Sequence, residues 1–288
     1  MQQNNYAMKH VYLLILLLTL HYTSTQAQVT LPAGARSLGV SNTAVTHTDV
    51  YATHNNIAGI ASIKSFSAGM YVENRYLVKE LTNYGILAAL PTKKGSFGLN
   101  IGQQGGKGLS TLRVGLGYAR AFSKTFNVGM SLNYVNTKFA DAYYGSANKF
   151  TIAVGMQTKI IDNLYLGAHI YNPTLTLLKK NDKEYVPTTI NIGLRYDFSK
   201  VLSASAQVDK NTISKPKVSL GVEYRVVEQF YLRGGFSSND IRSTFGFGYK
   251  TKQLSIDVAT GYHYKIGFIP HFSLGFNLPE PIVKTQHN

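Results

Sequence analysis

Histidines placed near a serine or an acid are the side chains of this sequence best suited to chemistry. His271 and Ser273 lie two apart, so in an extended strand they share a face. A nucleophilic serine needs a base and a third group to orient that base. Asn277 shares the face but lies about 13 Å beyond Ser273 at strand spacing, too far to orient His271. His169 and His263 stand in other segments, the second with Asp257 in its own segment. A metal site needs three or four convergent ligands, and no spacing here supplies them. The chain has no cysteine, which removes thiol nucleophiles, thiolate metal sites and disulfides. Gly105-Gly106 lacks the lysine and the helix of a phosphate-binding loop. The expectation is a chain with no enzymatic activity, no metal and no cofactor.

These residues sit in segments that alternate at period two. In 242–264, Phe245, Phe247 and Tyr249 alternate with Thr244, Gly246, Gly248 and Lys250. After a short turn, Ile256, Val258, Thr260 and Tyr262 alternate with Ser255, Asp257, Ala259, Gly261 and His263. Each strand thus has one apolar face and one small or polar face. Fourteen such segments run from residue 64 to the end, with cores near 64–73, 83–91, 95–103, 110–121, 125–138, 148–160, 163–171, 187–198, 201–209, 215–226, 229–237, 242–250, 252–264 and 269–278. The connections alternate between short ones, such as 92–94 and 161–162, and longer ones, such as 74–82 and 172–186. Short turns at one end, longer loops at the other and an even strand count are the pattern of a transmembrane barrel. The fold class expected is all-β: a transmembrane antiparallel β-barrel of fourteen strands. Tyr118, Tyr134, Tyr196, Tyr224, Tyr249, Tyr262 and Tyr264 lie near strand ends, where interfacial girdles sit.

The first 27 residues carry Lys9 and His10, then an apolar run over 11–20, then Thr25-Gln26-Ala27. That order is a cleaved secretory signal, and ten apolar residues are too few for a helix to span a bilayer, which takes about 20. The division expected is signal 1–27, an N-terminal segment 28–62, barrel 63–278 and tail 279–288. An exported barrel places the protein in the outer membrane of a Gram-negative cell envelope, with lipid around it. The formal charge is +15, but the cations are scattered, with no basic helix or binding module. Nucleic acid is not an expected partner.

On the polar faces Arg113, Arg195, Arg225 and Arg233 point inward, against few inward acids, Glu223 and Asp257. They would make a basic lumen, suited to general hydration, to a carboxylate ligand or to an acidic plug.

Residues 28–62 are small and polar, without sustained alternation. Gly34-Ala35-Arg36-Ser37-Leu38-Gly39-Val40, then Thr48-Asp49, then Asn55-Asn56-Ile57-Ala58-Gly59 resemble the start of the FadL-like barrels. That group includes the fatty-acid transporter FadL and the PorV/PorQ proteins of type IX secretion. Asp49 and Asn56 keep the family's spacing; Ile57 stands where the family has proline. The resemblance implies that 28–62 folds back into the barrel as a plug, with Arg36, Asp49 and Asn56 as plug residues. A barrel of this size is too wide for its own side chains to fill, which also calls for a plug. Asn56 is expected to hold a local turn.

Two functions follow as expectations. The first is an accessory of protein secretion or outer-membrane assembly, PorV/PorQ-like, with other outer-membrane or secretion proteins as partners. Brief outer loops and the Gly-Ala-Arg-Ser form of the motif favour it. The alternative is a passive FadL-like transporter of hydrophobic small molecules, with a lipid or fatty-acid ligand. It needs an apolar pocket under the loops and a side opening, for which Pro173 and Pro187 are the suggestive residues.

Overall fold

The computed structural model describes residues 31–140, 145–179, 184–238 and 242–279. The signal, the first residues of the plug segment and the tail from 280 lie outside the described residues.

Fourteen strands close into one antiparallel barrel. They are β1 (Ser67–Asn74), β2 (Thr82–Thr92), β3 (Gly95–Gly105), β4 (Leu109–Ala121), β5 (Phe126–Phe139), β6 (Ser146–Ile161) and β7 (Leu164–Tyr171). A two-stranded excursion follows, β8 (Leu177–Lys179) and β9 (Glu184–Tyr185), which the alternation did not reveal because its strands are too short to show a period. The wall resumes with β10 (Thr189–Asp197), β11 (Leu202–Asn211), β12 (Lys217–Arg225), β13 (Phe230–Ser237), β14 (Arg242–Lys250), β15 (Leu254–His263) and β16 (Gly267–Asn277). Each strand pairs with its sequence neighbour, β7 with β10, and β1 pairs with β16 to close the ring. Every expected segment overlaps one of these strands.

The two faces are inverted relative to a water-soluble protein. Ile86, Leu116, Leu132, Phe150, Leu220, Phe247 and Phe268 point outward and are exposed, while Asn100, Asn133, Thr151, Gln157, Gln207, Ser219, Arg233, Asp257 and Ser273 are buried inside. A barrel immersed in hydrocarbon requires this distribution, because closure satisfies the backbone and lipid accepts the apolar exterior. Aromatic pairs mark both rims. Phe97–Tyr118 and Phe230–Tyr249 pack in tilted contact across neighbouring strands at the end with short turns, with ring centroids 5.1 and 5.0 Å apart. Tyr134–Phe150 and Tyr262–Phe268 do so at the opposite end, at 5.5 and 5.0 Å.

Residues 33–63 fill the interior. They run as short turns: helix α1 (Ala35–Gly39), helix α2 (Ala52–Asn55) and a 3-10 helix, Ile57–Ser62. No period-two pattern could appear in such a segment. Ala33, Val50, Tyr51, Ala52, Ile57 and Ile60 form one apolar cluster with wall residues Tyr71, Leu87, Ala89 and Ala119. Burying a side chain the size of Ile57 or Ile60 contributes about 1.5–3 kcal/mol. The Tyr51 hydroxyl reaches the β1–β16 seam and donates to the carbonyls of Met70 and Leu274, at 3.1 and 2.9 Å.

The inward glycines receive this segment. A β-carbon on Gly117 (β4) would lie 2.5 Å from Ile57 Cδ1, and one on Gly69 (β1) 2.7 Å from Val50 Cγ1. On β7 and β12, Gly167 and Gly221 would each place it 2.5 Å from a plug carbonyl, that of Val45 and that of Val40. A β-carbon on Gly98, Gly155 or Gly235 would likewise fall within 3.0 Å of Ile60, Asn56 or Ser41. The glycines therefore form a collar shaped to the plug.

Candidate functional site

The site has two parts: a lock that holds the plug, and a step in the wall above it.

The lock is a chain of alternating charge. Arg36 on α1 donates from Nε and Nη2 to both oxygens of Glu223 on β12, at 2.9 and 2.8 Å. Its Nη1 donates to Asp49 Oδ2 at 2.9 Å. Glu223 also accepts from Arg233 on β13, which donates in turn to Asp257 on β15 at 2.7 Å. The order is Asp49–Arg36–Glu223–Arg233–Asp257. Asp49 Oδ1 additionally accepts the Tyr51 amide at 3.1 Å. Bidentate Arg–carboxylate pairs are the strongest and most directional of such bonds.

Electrostatics in the plug follow from these neighbours. Burial pulls the Asp49 carboxyl up, but the Arg36 guanidinium and His47 outweigh it and hold it below its usual range. Burial alone would lower the Arg36 guanidinium, yet Glu223 and Asp49 drive it higher still, so it stays charged. His47 is pushed down to about 3 by burial and then by Arg36. His54 is pushed down to about 3 by burial and then by Arg113. Both imidazoles are neutral around pH 7.

Amides on the wall complete the hold. Gln157 on β6 donates to the carbonyls of Val45 and His47, both at 2.9 Å, and Gln207 on β11 accepts the Val45 amide at 3.0 Å. Asn56 accepts the Ala58 amide at 3.3 Å, the local turn expected of it, and also donates to Val45 O and to Met156 O on the wall.

The four inward arginines do not gather into one basic lumen. Arg233 belongs to the lock. Arg195 pairs with Asp197 at 3.1 Å and lies over the Tyr165 ring. Arg225 sits half-buried at the end of β12, near the short turns. Arg113 stands on the other side of the plug, 4.5 Å over the Tyr171 ring and 3.5 Å from His54 Nε2. Acids on the same strand, on the neighbouring strand and two strands away, and aromatic rings, take up the charges of Arg113, Arg195 and Arg233.

His271 and Ser273 do point inward, but to separate partners. Ser273 Oγ accepts the Ala35 amide at 3.0 Å. His271 Nδ1 lies 3.3 Å from Glu73 Oε2, with its ring tilted on Tyr71. His169 faces Asn191, and His263 packs against Tyr76 and Tyr264. Among the described residues no cluster of three acids or histidines could hold a metal.

The step lies where β6, with 16 residues, stands beside β7, with 8. The last β7 pair is Ala153–Tyr171, so β6 residues 146–152 rise above the end of their neighbour. Asn172, in the left-handed region at φ 52, turns the chain off the wall. Its amide bonds Ile152 O at 2.8 Å, and Thr176 Oγ1 donates to Phe150 O at 3.2 Å. These bonds carry the chain from Asn172 across the step, where residues 172–179 and 184–188 form a strap.

The Asn172 side chain gathers the strap: Nδ2 donates to Val186 O at 2.6 Å, while Oδ1 accepts from Thr174 Oγ1 and from both the amide and hydroxyl of Thr176. Pro173 and Pro187, the residues suggestive of a side opening, stand near its two ends. On the lumen side Ala147, Ala153, Tyr171 and Val186 form an apolar cluster with Phe139 packed on it. On the outer side Phe150, Leu175 and Ile190 are exposed. Below, a cavity of about 40 Å³ remains between plug and wall at His54, His169, Tyr171 and Asn191.

Tyr51, Gln157, Gln207 and Asn172 were not singled out in the sequence. Inward glutamines beside inward glycines, and an Asn-Pro at a strand end, are the signals that point to them.

No protein-family model matches the chain, and no curated protein matches it in sequence. Solved structures do. A FadL homologue from Pseudomonas aeruginosa superposes with a TM-score of 0.67 at 13% identity, covering 87% of this chain and 100% of that one. The Pseudomonas putida toluene transporter TodX gives 0.65 at 12% identity, covering 87% and 98%. A deltaS2 mutant of the TodX monoaromatic hydrocarbon channel gives 0.62 at 14% identity, covering 88% and 100%. The likeness is one of fold: this chain folds as the FadL-like outer-membrane barrels do.

Proposed function

We propose that this chain is a non-enzymatic outer-membrane barrel that passes small hydrophobic molecules. The observation that carries the reading is the step above β7. The plug fills the barrel interior, with a cavity of about 40 Å³ beside it, so a solute entering from the loop end meets the plug across the barrel axis. It finds instead the apolar cluster of Ala147, Ala153, Tyr171 and Val186, beside a wall interrupted on one strand and spanned by a strap. Release sideways, past Phe150 and Leu175 into lipid, needs only movement of that strap. The fold shared with a FadL homologue and with the toluene transporter TodX supports transport over the secretion reading.

The test is uptake of radiolabelled toluene and oleate by cells that lack their own hydrophobic transporters. Expression should raise uptake of at least one of the two. Uptake equal to the empty-vector control for both would sink the proposal.

The PorV/PorQ-like secretion role is the second reading. The locked plug favours it, since a barrel sealed this firmly can serve as a docking platform. Stoichiometric co-purification of a large membrane partner, with no uptake, would establish it in place of transport.

A further inference from the structure

At the end with short turns the plug floor and the strand ends enclose a cleft of about 970 Å³. Ligand pockets commonly span about 300–1,000 Å³, so this one lies at the large end. Its charge is one-sided. Lys64 enters from the link between plug and β1, and Lys250 and Lys252 enter from the β14–β15 turn. All three are exposed, and none makes an ion pair among the described residues. Arg36 forms part of the floor, and Asp49, the one acid lining the cleft among the described residues, is already bonded to it. Apolar Ile63 and Leu278 lie between the cations.

We propose that this cleft docks an acidic peptide segment of a partner protein. Three unpaired ammonium groups around one concavity attract carboxylates, and cations interleaved with apolar side chains suit a peptide better than a small inorganic anion. The other turns at this end add Lys93, Lys94, Lys124 and Lys200 against Asp162 and Glu228. Their field would speed the approach of an acidic partner. In the orientation of an outer-membrane barrel, this end faces the periplasm. Docking is independent of whether the barrel transports anything.

The experiment is fluorescence anisotropy of labelled octaglutamate on the full-length protein in zwitterionic micelles. Its fold is checked by the heat-dependent gel shift of an intact barrel. The variant Lys64→Glu/Lys250→Glu/Lys252→Glu should bind at least about tenfold more weakly. The variant Lys93→Glu/Lys94→Glu/Lys124→Glu changes charge equally on other turns and should differ from wild type by less than about threefold. Equal losses in both variants would reduce the effect to net charge and overturn the proposal. Absence of octaglutamate binding by the wild type would overturn it too. So would binding confined to vesicles containing phosphatidylglycerol, which would assign the lysines to lipid. Uptake assays are not part of the readout, so failure here leaves the transport reading standing.

Discussion

Arg36 and Glu223 meet in two parallel hydrogen bonds, 2.9 and 2.8 Å long, across 187 positions of sequence. The side chains are 20% and 15% exposed, so most of the pair is out of water. Removing the guanidinium leaves Glu223 with Arg233 alone and Asp49 with only the Tyr51 amide. Breaking a fully buried pair costs roughly 3–5 kcal/mol, and partial exposure puts this one toward the low end. Arg36→Ala should raise single-channel ion conductance in planar bilayers and speed proteolysis of the plug. Arg36→Lys should restore little, because an ammonium cannot bond both oxygens in the same fork. Wild-type conductance in Arg36→Ala would mean that the apolar cluster alone holds the plug.

The glycine collar gives a second prediction. A β-carbon on Gly221 meets the Val40 carbonyl at 2.5 Å, whereas one on Gly234 meets nothing nearer than 3.9 Å. Gly221→Ala should loosen the plug by about 1–3 kcal/mol of overpacking, seen as faster amide exchange over residues 33–63. Gly234→Ala should leave exchange unchanged. Equal behaviour of the two variants would show that the wall adjusts to the extra methyl.

Acid should weaken docking. An imidazole free of the plug titrates near 6.5, while His47 and His54 titrate at about 3 in place. Between those values the undocked segment binds more protons, so docking loses stability as pH falls from about 6.5 toward 3. Asp49 acts with the same sign, since its lowered carboxylate contributes above the usual range and is lost as pH falls through the docked value. The protection of plug amides, taken relative to the intrinsic exchange rate at each pH, should fall from pH 7 to pH 4. His47→Gln/His54→Gln should flatten most of that dependence, and an unaltered profile in the double variant would exclude the histidines as its source.

Asn172 tests the step. Asn172→Gly keeps a residue that tolerates φ 52 and removes the side-chain bonds to Val186, Thr174 and Thr176. Each lost bond is worth about 1 kcal/mol. The strap should then exchange faster, and uptake of a hydrophobic substrate should change several-fold. Faster exchange with unaltered uptake would place the exit elsewhere in the wall.

Local pattern carried most of the fold. Phe245, Phe247 and Tyr249 announce an outward face because strand geometry makes every second residue a neighbour on one surface. The same rule placed Arg113, Arg195, Arg225 and Arg233 inside. It could not say what they meet: the partners of Arg233 stand on β12 and β15, and Tyr171 comes to Arg113 from β7. Such pairings depend on hairpin register and on which strands stand two or three places apart, which the spacing within one strand does not encode. The local half of Asn56's role, its bond to the Ala58 amide, was legible, and the half that reaches Met156 was not. Inward glycines were visible as missing bulk, but their fit to particular plug atoms needed both surfaces. The step above β7 stayed hidden because it is a difference in height between neighbours, and each strand taken singly looks ordinary.

Tyr51 has a bearing on assembly. Its hydroxyl bridges Met70 and Leu274, on the first and last strands, so a residue synthesised before the wall spans the join made last. Contacts between chain ends are the slowest to form, because the whole intervening loop must close first. With the tyrosine across that join, zippering of β1 against β16 and seating of the plug become one cooperative step. A half-built barrel is then both unplugged and open, and a finished one is neither.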